Sequence, residues 1–234
     1  MASRLFLIPS TIGDTDTRMV IPDGITDIIN SISHFIVEDE RTARRMLLKL
    51  GLNKPISDLY FHVLNEHTDR DKLATILEAI KEHDTGLLSD AGVPAIADPG
   101  SDIILLAHKR GIDVVPLAGP SSILMAMMAS GLNGQNFSFN GYLPVKQHER
   151  IKKIKHLEKR SEMENQSQIF IEAPYRNQQM LADILKNCDR ETLLCIAVNI
   201  STPLALIKTK PVGEWHSEMI NIHKQPAIFI LHKY

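Results

Sequence analysis

Residues 87–102, LLSDAGVPAIADPGSD, bring three aspartates, two glycines and two prolines into sixteen positions. That mix sets carboxylates beside unshielded backbone. Gly92, after Asp90–Ala91, has access to backbone angles closed to other residues and puts no side chain in a ligand's way. Asp98–Pro99–Gly100 then leads into a helical pattern, with Asp98 expected as the N-cap and Pro99 as the first helical residue. A well-capped strand-to-helix loop would use the same residue types, so pattern alone supports a ligand loop and plain scaffolding equally. A second turn, within VPLAGPSSILMAMMASGL at residues 115–132, again places Gly and Pro after a strand. Ser121 and Ser122 open its helix, whose first N–H groups lack intrahelical partners and suit polar ligand edges. Two such turns after adjacent strands would line one crevice. Met125, Met127 and Met128 in that helix read as core filling.

Other chemistry lacks its residues. There is no G-x-x-x-x-G-K-[ST] or G-x-G-x-x-G phosphate loop, no G-x-S-x-G elbow and no credible Cys–His pair. Cys188 and Cys195 are the only cysteines, too few for a disulfide framework or zinc site, and read as reduced thiols of a cytoplasmic protein. His62 and His67, with Glu66, make only a weak metal motif, and no metal is expected. Five side chains are candidates for polar work: Asp39, Arg41, Asp90, Glu172 and Arg176. Asp39 or Glu172 would take a proton or orient a water, and Arg41 or Arg176 would hold a phosphate or carboxylate in a guanidinium fork. The same residues also suit helix caps and surface pairs. Residues 146–160 hold seven Lys or Arg against two Glu, a local +5 in a chain of net charge −2. That segment fits either an RNA phosphate-tracking helix or a solvated helix face, and it carries no aromatic for base stacking.

The elements that must position these groups follow an α/β rhythm. Strands are expected at 5–9, 34–39, 59–64, 85–90 and 112–117, with a helix ending near Gly51. Another helix buries Leu73, Ile76, Leu77 and Ile80. Alternation of this kind builds a mainly parallel sheet with helices on both faces, and ligands bind beyond the carboxyl ends of its strands. After about residue 118 the rhythm changes. Strands at 137–144, 167–172, 192–200, 204–210 and 227–233, the last three with no long helix between them, point to a mixed sheet. Two α/β domains, 1–117 and 118–234, are expected. With 44% apolar residues each can build a core. No apolar run approaches the length of a membrane span.

The motifs together resemble the tetrapyrrole methylase superfamily, and within it the ribosomal RNA small subunit methyltransferase I branch. That branch carries S-D-A-G-x-P-x-[IV]-[AS]-D-P-G followed by V-x-P-[LI]-x-G-P, matched by residues 89–100 and 114–120. Glu38–Asp39–Glu40–Arg41, Phe139–Asn140–Gly141–Tyr142–Leu143–Pro144 and Glu172–Ala173–Pro174–Tyr175–Arg176 match three further motifs in family order. The resemblance implies two α/β domains with S-adenosylmethionine in the cleft between them, in a homodimer. Carried over, cofactor contacts fall on Ser89, Asp90, Ala91, Gly92, Val93, Asp98, Gly119, Pro120, Ser121 and Ser122. Tyr142, Leu143, Ala173 and Pro174 complete them, largely through backbone. Of the polar candidates named above, Asp39, Arg41, Glu172 and Arg176 are the ones expected to be catalytic. The implied activity is ribose 2′-O-methylation of ribosomal RNA. Methylation of a tetrapyrrole or other small molecule, and cofactor binding without transfer, are the two alternatives. The chain departs from the branch in its first loop, residues 9–25, where Pro9, Ile12 and Gly13 match. It departs again at 197–203, where AVNISTP replaces a charged A-R-E-[LM]-T-K run, and the branch's C-terminal extension has no counterpart before Tyr234.

Overall fold

The computed structural model describes residues 3–65, 68, 70–218 and 220–234, with backbone only for 70–72. Glu66 and His67 of the weak metal motif lie outside the described residues. The chain divides into two compact units, Met1–Ser121 and Ser122–Tyr234.

The first unit carries β1 (Arg4–Ile8), α1 (Gly24–Ser31), β2 (His34–Val37), α2 (Glu40–Lys49), β3 (Tyr60–Val63), α3 (Arg70–Glu82), β4 (Thr85–Leu88), α4 (Ser101–Lys109) and β5 (Asp113–Pro116). Its five strands lie in the order β3-β2-β4-β1-β5 and all run parallel. Alternating side chains feed two cores, as the pleat requires. Phe6, Ile8 and Phe35 meet Ile25, Ile29 and Leu47 from α1 and α2. Leu5, Ile36 and Leu87 meet Ile76, Ile80 and Ile103 from α3 and α4. Both faces are covered, which is why the strands read as nearly continuous apolar runs. Helix α1, Gly24–Ser31, escapes the sequence reading although Ile25, Ile28 and Ile29, with Ile32 just beyond its end, form an apolar stripe at three- and four-residue spacing.

The second unit carries α5 (Ser122–Ser130), β6 (Phe137–Tyr142), α6 (Gln147–Glu164), β7 (Ser167–Ile171), α7 (Asn177–Asn187), β8 (Leu193–Val198), β9 (Leu206–Pro211), α8 (Val212–Trp215) and β10 (Ala227–His232). The sheet order is β6-β7-β10-β8-β9. β6 and β7 pair parallel, and the remaining pairings are antiparallel, which makes the mixed sheet expected from consecutive strands. Helices α6 and α7 cover one face around Phe170, Ile196 and Phe229, and α5 covers the other around Ile169 and Ile228.

Four local expectations need correction. Asp98 does not cap α4: Gly100 holds the N-cap position at φ +132°, and the Asp98 carboxylate bonds Ser89 Oγ instead. The strands leading into the two dense turns are not adjacent, because β1 lies between β4 and β5. Met127 fills the core, but Met128 is 80% exposed. Arg150 cannot track a phosphate: it is 1% exposed, and its Nη2 lies 2.6 Å from Asp183 Oδ2. No helix among the described residues is long and apolar enough to cross a membrane.

Candidate functional site

In the first unit the loops after β1, β4 and β5 converge. Ser10 and Gly92 form an antiparallel bridge, with Ser10 N donating to Gly92 O at 2.7 Å and Gly92 N to Ser10 O at 3.2 Å. Ser10 Oγ donates to the Ser89 carbonyl. Gly92 takes φ +78°, and a Cβ there would stand 3.4 Å from Pro120 O, so the loop after β5 touches the loop after β4. Gly119 faces Pro9 so closely that a Cβ would meet the Pro9 ring at 2.1 Å. Glycine is required here for close packing. Ala95 and Ala97 hold left-handed φ values of 62° and 61°. Such angles cost energy in a non-glycine residue and cluster at functional sites. The structure thus brings Ser89, Asp90, Ala91, Gly92, Val93, Asp98, Gly119, Pro120 and Ser121 to the carboxyl edge of the parallel sheet.

Three carboxylates share this corner. Burial and the charge of Asp39 push the Asp90 carboxyl up, and burial raises Asp98 against the bond from Ser89. Glu38, the residue after β2, is pushed up to about 7 by burial and by Asp98 and Asp90. Its Oε1 is buried without a hydrogen-bond partner. A carboxylate titrating near neutrality beside two others is the environment that tunes an acid–base group. Sequence reasoning passed over Glu38 in favour of Asp39. The available signal was its place at the carboxyl end of a central strand, one residue before a helix cap. Asp39 is that cap: it is exposed, and it accepts the Thr42 N–H at 2.8 Å, which holds its carboxyl below the usual range. Arg41 is exposed on the first turn of α2.

The remaining predicted residues fall in the second unit. Ser122 opens α5. Leu143 is buried. Glu172 is buried and binds Arg176 Nη2 at 2.5 Å and the Ala173 N–H at 2.7 Å. Its carboxylate therefore braces the Ala173–Pro174 turn and its guanidinium partner. Pro174 O accepts the Lys224 N–H at 2.9 Å. Tyr142 is 61% exposed at the end of β6.

Histidine chemistry lies elsewhere in the first unit. His34 stacks on His83 and Tyr60, and its Nδ1 lies 3.4 Å from His62 Nε2. Among the described residues no group of three or more His, Cys, Asp or Glu is placed to hold a metal. Both cysteines are free, and burial pushes each thiol up.

The architecture defines the class. The chain is similar to the solved structure of the methyltransferase CobJ, with a TM-score of 0.65 at 15% identity over 100% of this chain and 95% of that one. It is also similar to uroporphyrin-III C-methyl transferase from Thermus thermophilus complexed with S-adenyl homocysteine, with a TM-score of 0.57 at 15% identity over 99% and 98%. This is the two-domain tetrapyrrole methylase fold. No protein-family model matches the chain. Sequence relatives narrow the class. The ribosomal RNA small subunit methyltransferase I of Thermotoga maritima is 32% identical over 168 residues, 71% of each chain. That of Vibrio cholerae is 29% identical over 234 residues, 98% of this chain and 77% of its own length. The chain belongs to the ribosomal RNA small subunit methyltransferase I family.

Proposed function

We propose that the protein is an S-adenosylmethionine-dependent methyltransferase whose acceptor is a ribose 2′-hydroxyl of small-subunit ribosomal RNA. The observation that carries the reading is the corner where three loops meet beside Glu38, Asp90 and Asp98. A cluster of carboxylates suits a cationic sulfonium and the hydroxyls of a ribose, and the buried, unpartnered Glu38 Oε1 lacks what such a ligand provides. An RNA acceptor is supported by the relatives named above, which are ribosomal RNA enzymes, and not by the tetrapyrrole enzymes, which at 15% identity share only the fold.

The residues divide by task. Ser89–Val93, Asp98 and Gly119–Ser121 would hold the cofactor mainly through backbone. When bound, S-adenosylmethionine supplies an electrophilic methyl on a positively charged sulfur. Holding the acceptor oxygen in line with it accounts for most of the acceleration this chain must provide. Glu38 Oε1 would accept the proton of the acceptor hydroxyl, and burial with the charges of Asp98 and Asp90 would keep its carboxyl basic enough to do so. Asp39 and Arg41 set the start of α2, and Glu172 fixes Arg176. The setting is the cytoplasm, where ribosomal subunits are made. The working form is a homodimer, in which a second copy would cover the exposed Leu124 and Met128 of α5, 56% and 80% accessible. Sedimentation of the wild type against Met128→Glu checks that point, and a dimer unmoved by the charge would put the contact elsewhere.

The deciding experiment has two arms. Calorimetric titration with S-adenosylhomocysteine should give micromolar binding. Purified protein should then transfer labelled methyl to small subunits from a strain lacking the gene and not to wild-type subunits. Equal labelling of both, or transfer to a macrocycle alone, would sink the RNA reading.

A further inference from the structure

The motif at 172–176 carries more than a brace. Arg176 is unusually fixed for a residue whose side chain is 20% exposed. Its Nη2 is tied to the buried Glu172, its Nη1 donates to Tyr175 OH at 3.2 Å, and its Cζ lies 5.1 Å from the Tyr175 ring centroid. Tyr175 is 61% exposed, so much of its ring faces solvent. A second aromatic stands nearby. Tyr142 pairs with Ile171, the residue before Glu172, which sets it on the strand next to the one that leads into Arg176. The β6–β7 register shifts between Phe139 and Tyr142, and Gly141 takes φ +62°. Such a bulge re-aims the residue beside it, here a tyrosine that is also 61% exposed. From Tyr142 the chain runs through Val145, 64% exposed, to Lys146 and His148, whose side chains are 74% and 79% exposed.

Packing does not require this arrangement. Both tyrosines leave most of their surface to solvent, and the ion pair beside Tyr175 leaves Glu172 Oε2 and Arg176 Nε buried without partners. A stability-driven design would avoid both. Exposed aromatic rings beside a pre-oriented guanidinium, with the Lys146 ammonium following along the chain, are what unpaired nucleotides require. Bases stack on aromatic and guanidinium planes, and cations follow the phosphates. Duplex RNA, whose bases are already stacked, would gain nothing from the rings.

We propose that Tyr142, Tyr175 and Arg176 form a stacking platform for unpaired bases of the RNA substrate, with Lys146 and His148 beside its backbone. This rests on the RNA reading above and names the form in which the RNA is taken. Aromatic stacking recovers the aromatic interleaving that the 146–160 segment lacks by itself, from two other positions in the fold.

The test uses the full chain and a fluorescently labelled single-stranded RNA oligonucleotide, read by anisotropy over a salt series, with S-adenosylhomocysteine calorimetry in parallel. Tyr175→Ala should weaken RNA binding by about tenfold or more at every salt concentration, since stacking is worth roughly 1–3 kcal/mol per base. The salt slope should stay unchanged. Tyr175→Phe should bind like wild type, Tyr142→Ala should lose RNA affinity as Tyr175→Ala does, and S-adenosylhomocysteine affinity should not move in Tyr175→Ala. RNA affinity unchanged in both alanine variants would overturn the platform. A parallel loss of S-adenosylhomocysteine binding would overturn it too, by assigning the rings to the cofactor. If wild type methylates small subunits while the variants bind RNA normally, only the platform falls. A wild type that neither binds nor methylates RNA removes the platform and the RNA reading together.

Discussion

Glu38 and Asp39 are neighbours in sequence with opposite environments. Glu38 follows a buried strand and is surrounded by like charge; Asp39 is solvated and caps a helix. The two substitutions therefore separate chemistry from structure. Glu38→Gln keeps the shape and removes the proton acceptor, so the single-turnover methyl-transfer rate should fall by roughly 10²- to 10⁴-fold. S-adenosylhomocysteine should still bind. Asp39→Ala should retain transfer and show a modest fall in melting temperature. Equal rates for Glu38→Gln and wild type would end the proton-acceptor role. The pH dependence has a definite sign. With its carboxyl raised from 4.5 to about 7 in the fold, Glu38 binds its proton more tightly folded than unfolded. Its contribution to stability is thus fully present below pH 4.5 and is lost as pH rises to about 7. Transfer should climb over the upper part of the same window, as the base becomes ionised. Glu38→Gln should flatten both profiles in that range.

At the scale of elements, α6 shows how one charged helix carries two kinds of residue. Its buried face holds Ile154, Leu157 and Arg150, and the Arg150 fork reaches Asp183 on α7 and the Val145 carbonyl at 2.7 Å. Removing one member of a buried pair leaves the other charge uncompensated, which costs about 3–5 kcal/mol. Arg150→Met should therefore lower the denaturation midpoint sharply in chemical unfolding. Were it to unfold like wild type, the pair would not be holding α6 to α7. Lys152, Lys155 and Lys159 recur at three- and four-residue spacing on the exposed side of the same helix. Changing them to Gln should leave stability near wild type. The dependence of log affinity for single-stranded RNA on log salt should become shallower, by about 0.7 for each phosphate that the helix no longer neutralises. An unaltered slope would make this an ordinary solvated face.

At the scale of the whole molecule, the formal charge of −2 offers no general attraction for a polyanion, so RNA affinity must come from local features such as the α6 face. Cofactor binding has a global readout. A ligand that binds only the folded chain stabilises it by RT ln(1 + [L]/Kd), about 2.7 kcal/mol at one hundred times Kd. For a chain of this length that corresponds to a rise of several degrees in melting temperature. S-adenosylhomocysteine should produce that rise, and Gly119→Ala, which forces a methyl into the Pro9 ring, should reduce it while also lowering the starting temperature. A melting curve indifferent to the compound in well-folded wild-type protein would remove the cofactor from the account.

The sequence alone carried the α/β class, nearly every strand, the mixed pairing of the second sheet and the family. These depend on short-range periodicity and on motifs read along the chain. Leu73, Ile76, Leu77 and Ile80 announce a helix whatever surrounds them. What the sequence could not supply were properties set by residues distant along the chain. The raised carboxyl of Glu38 comes from burial by the fold and from the like charges of Asp98 and Asp90 in another strand's loop. Only Asp183, 33 positions away, turns Arg150 from a surface cation into a buried one. Asp98 looked like a cap because its neighbours Pro99 and Gly100 suit a helix start, yet the bond from Ser89 claimed its carboxylate. The pairing of Tyr142 with Ile171, which leads into the 172–176 motif, depends on two parallel strands separated by α6. Propensity and periodicity are local energies, whereas burial, charge proximity and stacking depend on which distant segments the tertiary fold brings together.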